Sequence, residues 1–86
     1  MELKDTTNLM ESDDYRERFL AEFYQLKIRY IKLKNMLEKW DKGELDFTPA
    51  CNRQIYDIQI TSMETYLDVL ADRAEIEGIT LEEIKQ

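Results

Sequence analysis

A basic segment in the first half of the chain carries residue types that bind phosphate and contact an aromatic base. Helical spacing brings four side chains of this segment onto one face: Tyr24, Lys27, Ile31 and Lys34. Ammonium groups bind phosphate, and aromatic rings attract cations and stack on bases. The pattern therefore predicts a small-nucleotide site, although lysine stems that merely cover apolar neighbours are the ordinary alternative.

A row of carboxylates in the second half suggests a different kind of site. Its members follow one another at intervals of 7, 4, 4 and 3 residues, so they share one helical face: Asp57, Glu64, Asp68, Asp72 and Glu75. Such a row steers association with a basic partner, as nucleic-acid mimics do. The alternative is a solvated face that only keeps the protein soluble.

Catalytic chemistry has little support in the residue types. The chain has no histidine and one cysteine, and no glycine-rich phosphate loop or nucleophile motif occurs. Glu64 and Asp68 share a helical face, but carboxylate-bridged metal sites in bundles normally include histidines. Cys51 has no basic neighbour that would activate it, so we interpret it as a structural or incidental thiol. We expect no enzyme activity, no metal and no cofactor.

Composition and charge indicate where the protein works. A lone cysteine fits a reducing cytosol. The first residues lack the apolar region of a signal peptide, and no apolar run is long enough to cross a membrane. A net charge of −7 opposes direct binding to duplex nucleic acid. We therefore predict a cytoplasmic protein.

Two long amphipathic helices must position these side chains. Ser12–Asp14 supplies N-cap oxygens and Gly43 ends the first helix, which predicts a helix over 12–42 after a flexible arm at 1–11. A loop at 43–48 and Thr48-Pro49 then precede a second helix over 49–77, which ends at Gly78. A capping box at Thr80–Glu83 predicts a short turn over 80–85. The fold class is all-α, an antiparallel two-helix hairpin.

Each helix carries an apolar seam at alternating intervals of 4 and 3 residues, the pattern of coiled-coil packing. The core and interface residues predicted from the two seams are Phe19, Phe23, Leu26, Tyr30, Leu33, Leu37, Trp40, Ile60, Met63, Leu67 and Leu70. A second apolar row on the first helix, which includes Leu20, Tyr24, Ile28 and Ile31, is wider than a two-helix contact needs. It predicts further burial between chains, in a homodimer or larger bundle.

Charge is divided between the two helices. Residues 15–42 carry eight Lys/Arg and four Asp/Glu, whereas residues 43–86 carry three and ten. The simplest interpretation is that the basic first helix and the acidic second helix complement each other along their flanks. Such exposed pairs contribute only a few tenths of a kcal/mol each, so apolar burial must hold the fold.

Two segments carry a resemblance to a known group of proteins. Residues 42–49 (Lys-Gly-Glu-Leu-Asp-Phe-Thr-Pro) and residues 63–79 (Met-Glu-Thr-Tyr-Leu-Asp-Val-Leu-Ala-Asp-Arg-Ala-Glu-Ile-Glu-Gly-Ile) resemble small helical phage and prophage proteins related to a crAss-like phage protein. The likeness covers about residues 14–81 and its motifs are structural. The resemblance implies a counter-defence protein that binds a host target, foremost an RNA-guided CRISPR nuclease. The alternatives are an oligomeric sponge for cyclic-nucleotide signals and a structural or regulatory phage bundle.

Overall fold

The computed structural model describes residues 1–84, and its two longest elements form a helical hairpin. A 3-10 turn, Leu3–Thr6, leads into the short helix α1, Thr7–Met10, and then into α2, Tyr15–Asp41, and α3, Arg53–Glu77. The start of α2 contacts the end of α3, so the two helices are antiparallel. No strand occurs among residues 1–84. The predicted all-α hairpin is therefore confirmed.

Local signals at the helix ends explain where the two long helices start and stop. The Asp14 carboxylate accepts a hydrogen bond from the Arg16 backbone N–H at 2.9 Å, which caps the start of α2. Gly43 and Gly78 both have a φ of 69°, the left-handed conformation that favours glycine. After Gly78, the Ile79 N–H donates to the Ala74 carbonyl at 2.8 Å, which closes the end of α3.

The second long helix begins later than the sequence predicts. Residues 48–52 are not helical, and α3 starts at Arg53 rather than at Pro49. The Asn52 side chain accepts a hydrogen bond from the Ile55 N–H at 3.1 Å, so Asn52, and not Thr48, caps the start of this helix. Cys51 consequently lies exposed in the loop and not in a first helical turn.

The hydrophobic core lies between α2, α3 and the tail that follows α3. Its buried members are Phe19, Phe23, Tyr24, Leu67, Leu70, Ala74 and Ile79. Five of the eleven predicted core and interface residues are buried, namely Phe19, Phe23, Leu37, Leu67 and Leu70. The other six are half-buried, namely Leu26, Tyr30, Leu33, Trp40, Ile60 and Met63. The 4-3 seams therefore face the partner helix as their spacing indicates.

Both ends of the described chain cover the second apolar row of α2. The 3-10 turn and α1, predicted as a flexible arm, instead pack against α2. Thr6 is 1% exposed and its hydroxyl accepts a hydrogen bond from Gln25 at 2.9 Å. Ile28, on the same side of α2, is completely buried. The second apolar row of α2 therefore packs within one chain, because apolar residues of both terminal segments reach it. The row gives no support to the predicted self-association.

The segment after α3 lacks the helical turn that the sequence predicts. Residues 79–84 have no regular secondary structure, and position 85 lies outside the described residues. The Glu82 backbone N–H donates to the Tyr24 hydroxyl at 3.1 Å. Ile79 is buried, and Leu81 and Ile84 pack against the core. Tertiary contacts of these three apolar residues thus replace the local hydrogen bonds of a capping box.

Tyrosine–carboxylate hydrogen bonds join the flanks of the two helices. Tyr15 donates to Glu77 at 2.7 Å and Tyr30 donates to Glu64 at 3.1 Å. Tyr66 donates to Glu22 in the same manner. Among the described residues, the one ion pair between α2 and α3 joins Asp41 and Arg53 at 2.6 Å. The expected complementarity of basic and acidic helices is therefore mostly not realised as ion pairs, and several α2 lysines stay available.

Candidate functional site

The largest cavity of the described chain is a groove between α2 and the extended tail. Its volume is about 570 Å³. The α2 side contributes Phe23, Lys27, Tyr30, Ile31, Lys34, Asn35 and Glu38, and the tail contributes Leu81, Glu82, Glu83 and Ile84. The lining is mixed, because five aromatic or aliphatic side chains alternate with six charged or amide side chains. Small-molecule sites are usually more apolar than this, so the polar groups of the groove have to contribute much of any binding.

Two lysines and one tyrosine form the basic part of the groove. The Lys27 and Lys34 ammonium nitrogens lie 5.3 and 5.8 Å from the centroid of the Tyr30 ring. The ring attracts both cations, which restricts the two flexible side chains to this part of α2. Burial, followed by the hydrogen bond to Glu64, raises the pKa of Tyr30, so its hydroxyl stays protonated at neutral pH. Two ammonium groups beside one ring can hold phosphate oxygens.

The structure brings together three of the four predicted nucleotide-site residues. Lys27, Ile31 and Lys34 line the groove, whereas Tyr24 is 3% exposed and belongs to the core. Its hydroxyl anchors the tail at Glu82 instead of facing a ligand. Tyr30, which the seam assigns to the core, is the aromatic residue of the groove. The sequence does not distinguish Tyr24 from Tyr30 as the aromatic residue of the groove, because both positions belong to apolar rows. It also does not place the tail at the groove, because no local pattern links residues 79–84 to α2.

The predicted acidic row is exposed along one flank of α3, but its members differ in their contacts. Asp57 accepts a hydrogen bond from Arg53 at 2.8 Å, and Glu64 accepts one from Tyr30. The remaining three side chains have no hydrogen bond or ion pair within residues 1–84: Asp68, Asp72 and Glu75. The half of the row nearer the end of α3 is therefore free to meet a partner.

The acidic row and the basic groove meet at a small second cavity. This cavity has a volume of about 270 Å³ and is lined by Lys27, Tyr30, Glu64, Leu67 and Asp68. Lys27 and Tyr30 line both cavities. The basic groove and the acidic row, predicted as alternative sites, are thus neighbours. A substitution at Lys27 affects both cavities, whereas a substitution at Lys34 affects only the groove.

The outer face of α3 carries exposed apolar side chains. Ile55, Ile58, Val69 and Ile76 are between half and five-sixths exposed, and they lie at heptad-compatible intervals. Ser62, Thr65 and Asp72 occupy the intervening positions of the same face. This outer face of α3, opposite the seam, is the unpartnered apolar surface of the hairpin, and apolar surfaces of this kind mark association sites.

Two further properties limit the chemistry of the described residues. Residues 1–84 contain no group of three or more His, Cys, Asp or Glu side chains arranged to hold a metal ion. None of their helices is both long and apolar enough to span a bilayer.

The family comparison covers most of the hairpin. The family model described as Sequestin matches residues 13–76, which include all of α2 and nearly all of α3. No curated protein and no solved structure matches the chain. The matched region includes the lysines and Tyr30 of the groove but not the tail that closes it. The link to crAss-like phages stays a prediction, whereas the match over about three quarters of the chain shows that this protein belongs to the Sequestin family, whose name suggests sequestering or binding.

Proposed function

We propose that this protein is a non-enzymatic sponge that sequesters a cyclic-nucleotide signal in the groove between α2 and the tail. In this proposal the lysine ammonium groups hold phosphates, and the apolar walls contact the bases. The protein acts by stoichiometric capture, so the signal is removed from solution without being broken down. The setting is the host bacterial cytosol, where a phage protein of this type lowers the concentration of an immune signal.

One observation carries the proposal. The basic residues that the sequence singles out for phosphate, Lys27 and Lys34, both line the largest cavity, together with an aromatic ring. The family name supports sequestration as the mode of action. The acidic row lines only smaller cavities, one of about 340 Å³ at Asp57 and one of about 270 Å³ that Glu64 and Asp68 share with Lys27. Capture of a small anion therefore has more support than occlusion of a protein.

Calorimetry and thermal unfolding with a panel of cyclic mono- and dinucleotides test this function. At a ligand concentration 100 times the dissociation constant, binding adds about 2.7 kcal/mol to the free energy of unfolding, which a melting experiment resolves. Lys27→Ala combined with Lys34→Ala should abolish that shift. The control variant combines Lys32→Ala with Lys39→Ala, which removes two positive charges from α2 outside the groove. This variant should keep the ligand-induced melting shift. The absence of heat and of any melting shift across the whole panel would reject the sponge.

The proposal includes self-association through the outer face of α3. The sequence instead suggests the second apolar row of α2 as the interface. The second apolar row of α2 is covered by the chain itself, whereas the outer face of α3 is bare. A homo-oligomer should therefore form through Ile58, Val69 and Ile76. Light scattering at micromolar concentration measures it, and a monomer at all concentrations would contradict it.

Inhibition of an RNA-guided nuclease is the second candidate, favoured by the free half of the acidic row. Asp68, Asp72 and Glu75 are exposed and have no partner within residues 1–84. Replacing all three with lysine should abolish inhibition of target cleavage while the helical circular dichroism stays intact. Asp57 and Glu64 are poor positions for this experiment, because each already accepts a hydrogen bond within the protein. Wild-type inhibition by the triple variant would assign the row to solubility alone.

A further inference from the structure

The tail that follows α3, residues 79–84, is attached to the hairpin by apolar contacts and few hydrogen bonds. Ile79 is buried and its N–H donates to the Ala74 carbonyl, so the start of the tail is fixed on α3. Beyond Ile79, the tail makes one hydrogen bond within the described residues, from the Glu82 backbone N–H to the Tyr24 hydroxyl at 3.1 Å. A segment with so few hydrogen bonds opens locally at a lower free energy than a helical core.

The Tyr24 hydroxyl is a fixed anchor for this hydrogen bond. Tyr24 is buried, and its ring meets the Phe23 ring edge-on with the two centroids 5.9 Å apart. Tyr24 does not line the groove, so a molecule in the groove neither makes nor replaces its contact with Glu82. The contact between the Tyr24 hydroxyl and the Glu82 N–H is therefore a latch within the protein and not part of the binding surface.

The tail that this latch holds is also one wall of the groove. Four consecutive tail residues, 81–84, line the groove opposite α2. The α2 wall belongs to a helix of 27 residues that packs along the seam, so it is rigid, whereas the tail wall moves whenever the latch opens. Leu81 and Ile84 pack against the core, so opening also exposes apolar surface and the closed tail is favoured. The width of the groove thus depends on the tail.

We propose that the tail is a gate, hinged at Thr80 and latched by Tyr24, through which a small molecule enters and leaves the groove. The residues before the hinge are held firmly, because the Gly78 carbonyl accepts a hydrogen bond from Arg16 at 2.6 Å and Ile79 is buried. Thr80 itself is exposed and makes no hydrogen bond within residues 1–84. The gate limits how fast a captured molecule escapes. This inference rests on the proposed function and adds control of its rates.

A gate has a kinetic signature that differs from that of a binding residue. Since the latch does not touch the occupant, weakening it raises the fraction of open tail to the same extent with and without a bound molecule. The rates of entry and exit should then rise by the same factor, and the dissociation constant, which is their ratio, should stay the same. A static wall that contributes to binding would instead let the exit rate and the dissociation constant rise together.

Stopped-flow kinetics test the gate, with the cyclic mono- or dinucleotide that gives the parent protein its largest melting shift as the probe. Tyr24→Phe removes the acceptor of the latch and keeps the ring in the core. Both rate constants should rise about fivefold, as expected for the loss of one hydrogen bond, and the dissociation constant should change by less than about twofold. Tyr66→Phe is the matched control, because it also removes a tyrosine hydrogen bond, to Glu22, but lies outside the groove. It should leave both rates unchanged.

A second variant opens the latch from the tail side and leaves the core as it is. Glu82→Pro removes the donor N–H, and Glu82→Ala, which loses the same side chain but keeps the N–H, is its reference. Relative to that reference, the proline variant should also raise both rates about fivefold. In any latch variant that keeps its helical circular dichroism, a faster exit at an unchanged entry rate, or no change in either rate, would overturn the gate while leaving the sponge intact. If no member of the panel binds the parent protein, the proposed function fails and the gate fails with it.

Discussion

The two long helices have similar lengths, 27 and 25 residues, but the chain covers them very differently. On α2, six residues are buried, and both terminal segments add contacts beyond those with α3. On α3, three residues are buried, and the outer face exposes isoleucine and valine. An apolar row on a helix therefore does not show by itself which part of the protein, if any, covers it.

The largest expected effect comes from the seam between the two helices. Leu70 is completely buried on α3, so Leu70→Ala should lower the free energy of unfolding by about 2–5 kcal/mol. Val69, the preceding residue of the chain, is half exposed, and Val69→Ala should change that free energy by less than about 0.5 kcal/mol. Urea denaturation measures both. At protein concentrations low enough to keep the chain monomeric, similar losses for the two variants would mean that the outer face packs within the hairpin itself.

A somewhat smaller effect should follow from the second apolar row of α2. Ile28 is completely buried although it faces away from the seam, so Ile28→Ala should lower the free energy of unfolding by about 2 kcal/mol. We expect the low end of the usual range because the short terminal segment that covers this side can collapse onto the smaller residue. The loss should not depend on protein concentration. A concentration-dependent loss would restore the interpretation of this row as an interface between chains.

Substitutions on the outer face of α3 should weaken self-association but leave the free energy of unfolding of the hairpin nearly unchanged. Ile58→Ser with Val69→Ser should shift an oligomer toward monomer in sedimentation experiments, while the helical circular dichroism is retained. Phe47→Ser is the matched control, since Phe47 is equally exposed but lies in the loop between the helices. If both variants change sedimentation alike, exposed apolar area in general is responsible and not this face.

The smallest effect concerns the loop end of the hairpin. The hydrogen bond from Arg53 lowers the pKa of Asp41 below its ordinary value. A lowered pKa in the folded state adds stability above the ordinary pKa of aspartate, and this stability is lost as the pH falls through the folded value. Asp41→Asn should therefore make the melting temperature slightly less sensitive to pH in the acid range. An unchanged acid dependence would show that this exposed pair contributes nothing measurable.

The fold was largely predictable because its signals are local and periodic. The 4-3 seams, Asp14 and the two glycines each act within a few residues, and all of them have the expected roles. The start of α3 was harder to predict, since Thr48 and Asn52 are both good caps and tertiary contacts of Arg53 favour the later one. The groove could be only half predicted. Its α2 side follows helical spacing, whereas its tail side depends on the Tyr24–Glu82 contact, which joins residues 58 positions apart.

The loop end of the hairpin has an optical consequence. Trp40 is the single tryptophan, and it lies beside Arg53, whose guanidinium carbon is 5.3 Å from the ring centroid, and beside the Tyr56 ring. The five tyrosines, by contrast, are spread along the hairpin, and Tyr30 is the one that lines the groove. Tryptophan fluorescence therefore reports opening of the loop end alone, whereas tyrosine absorbance reports the hairpin as a whole. Without any added label, local opening of the loop end can be distinguished from unfolding of the whole hairpin.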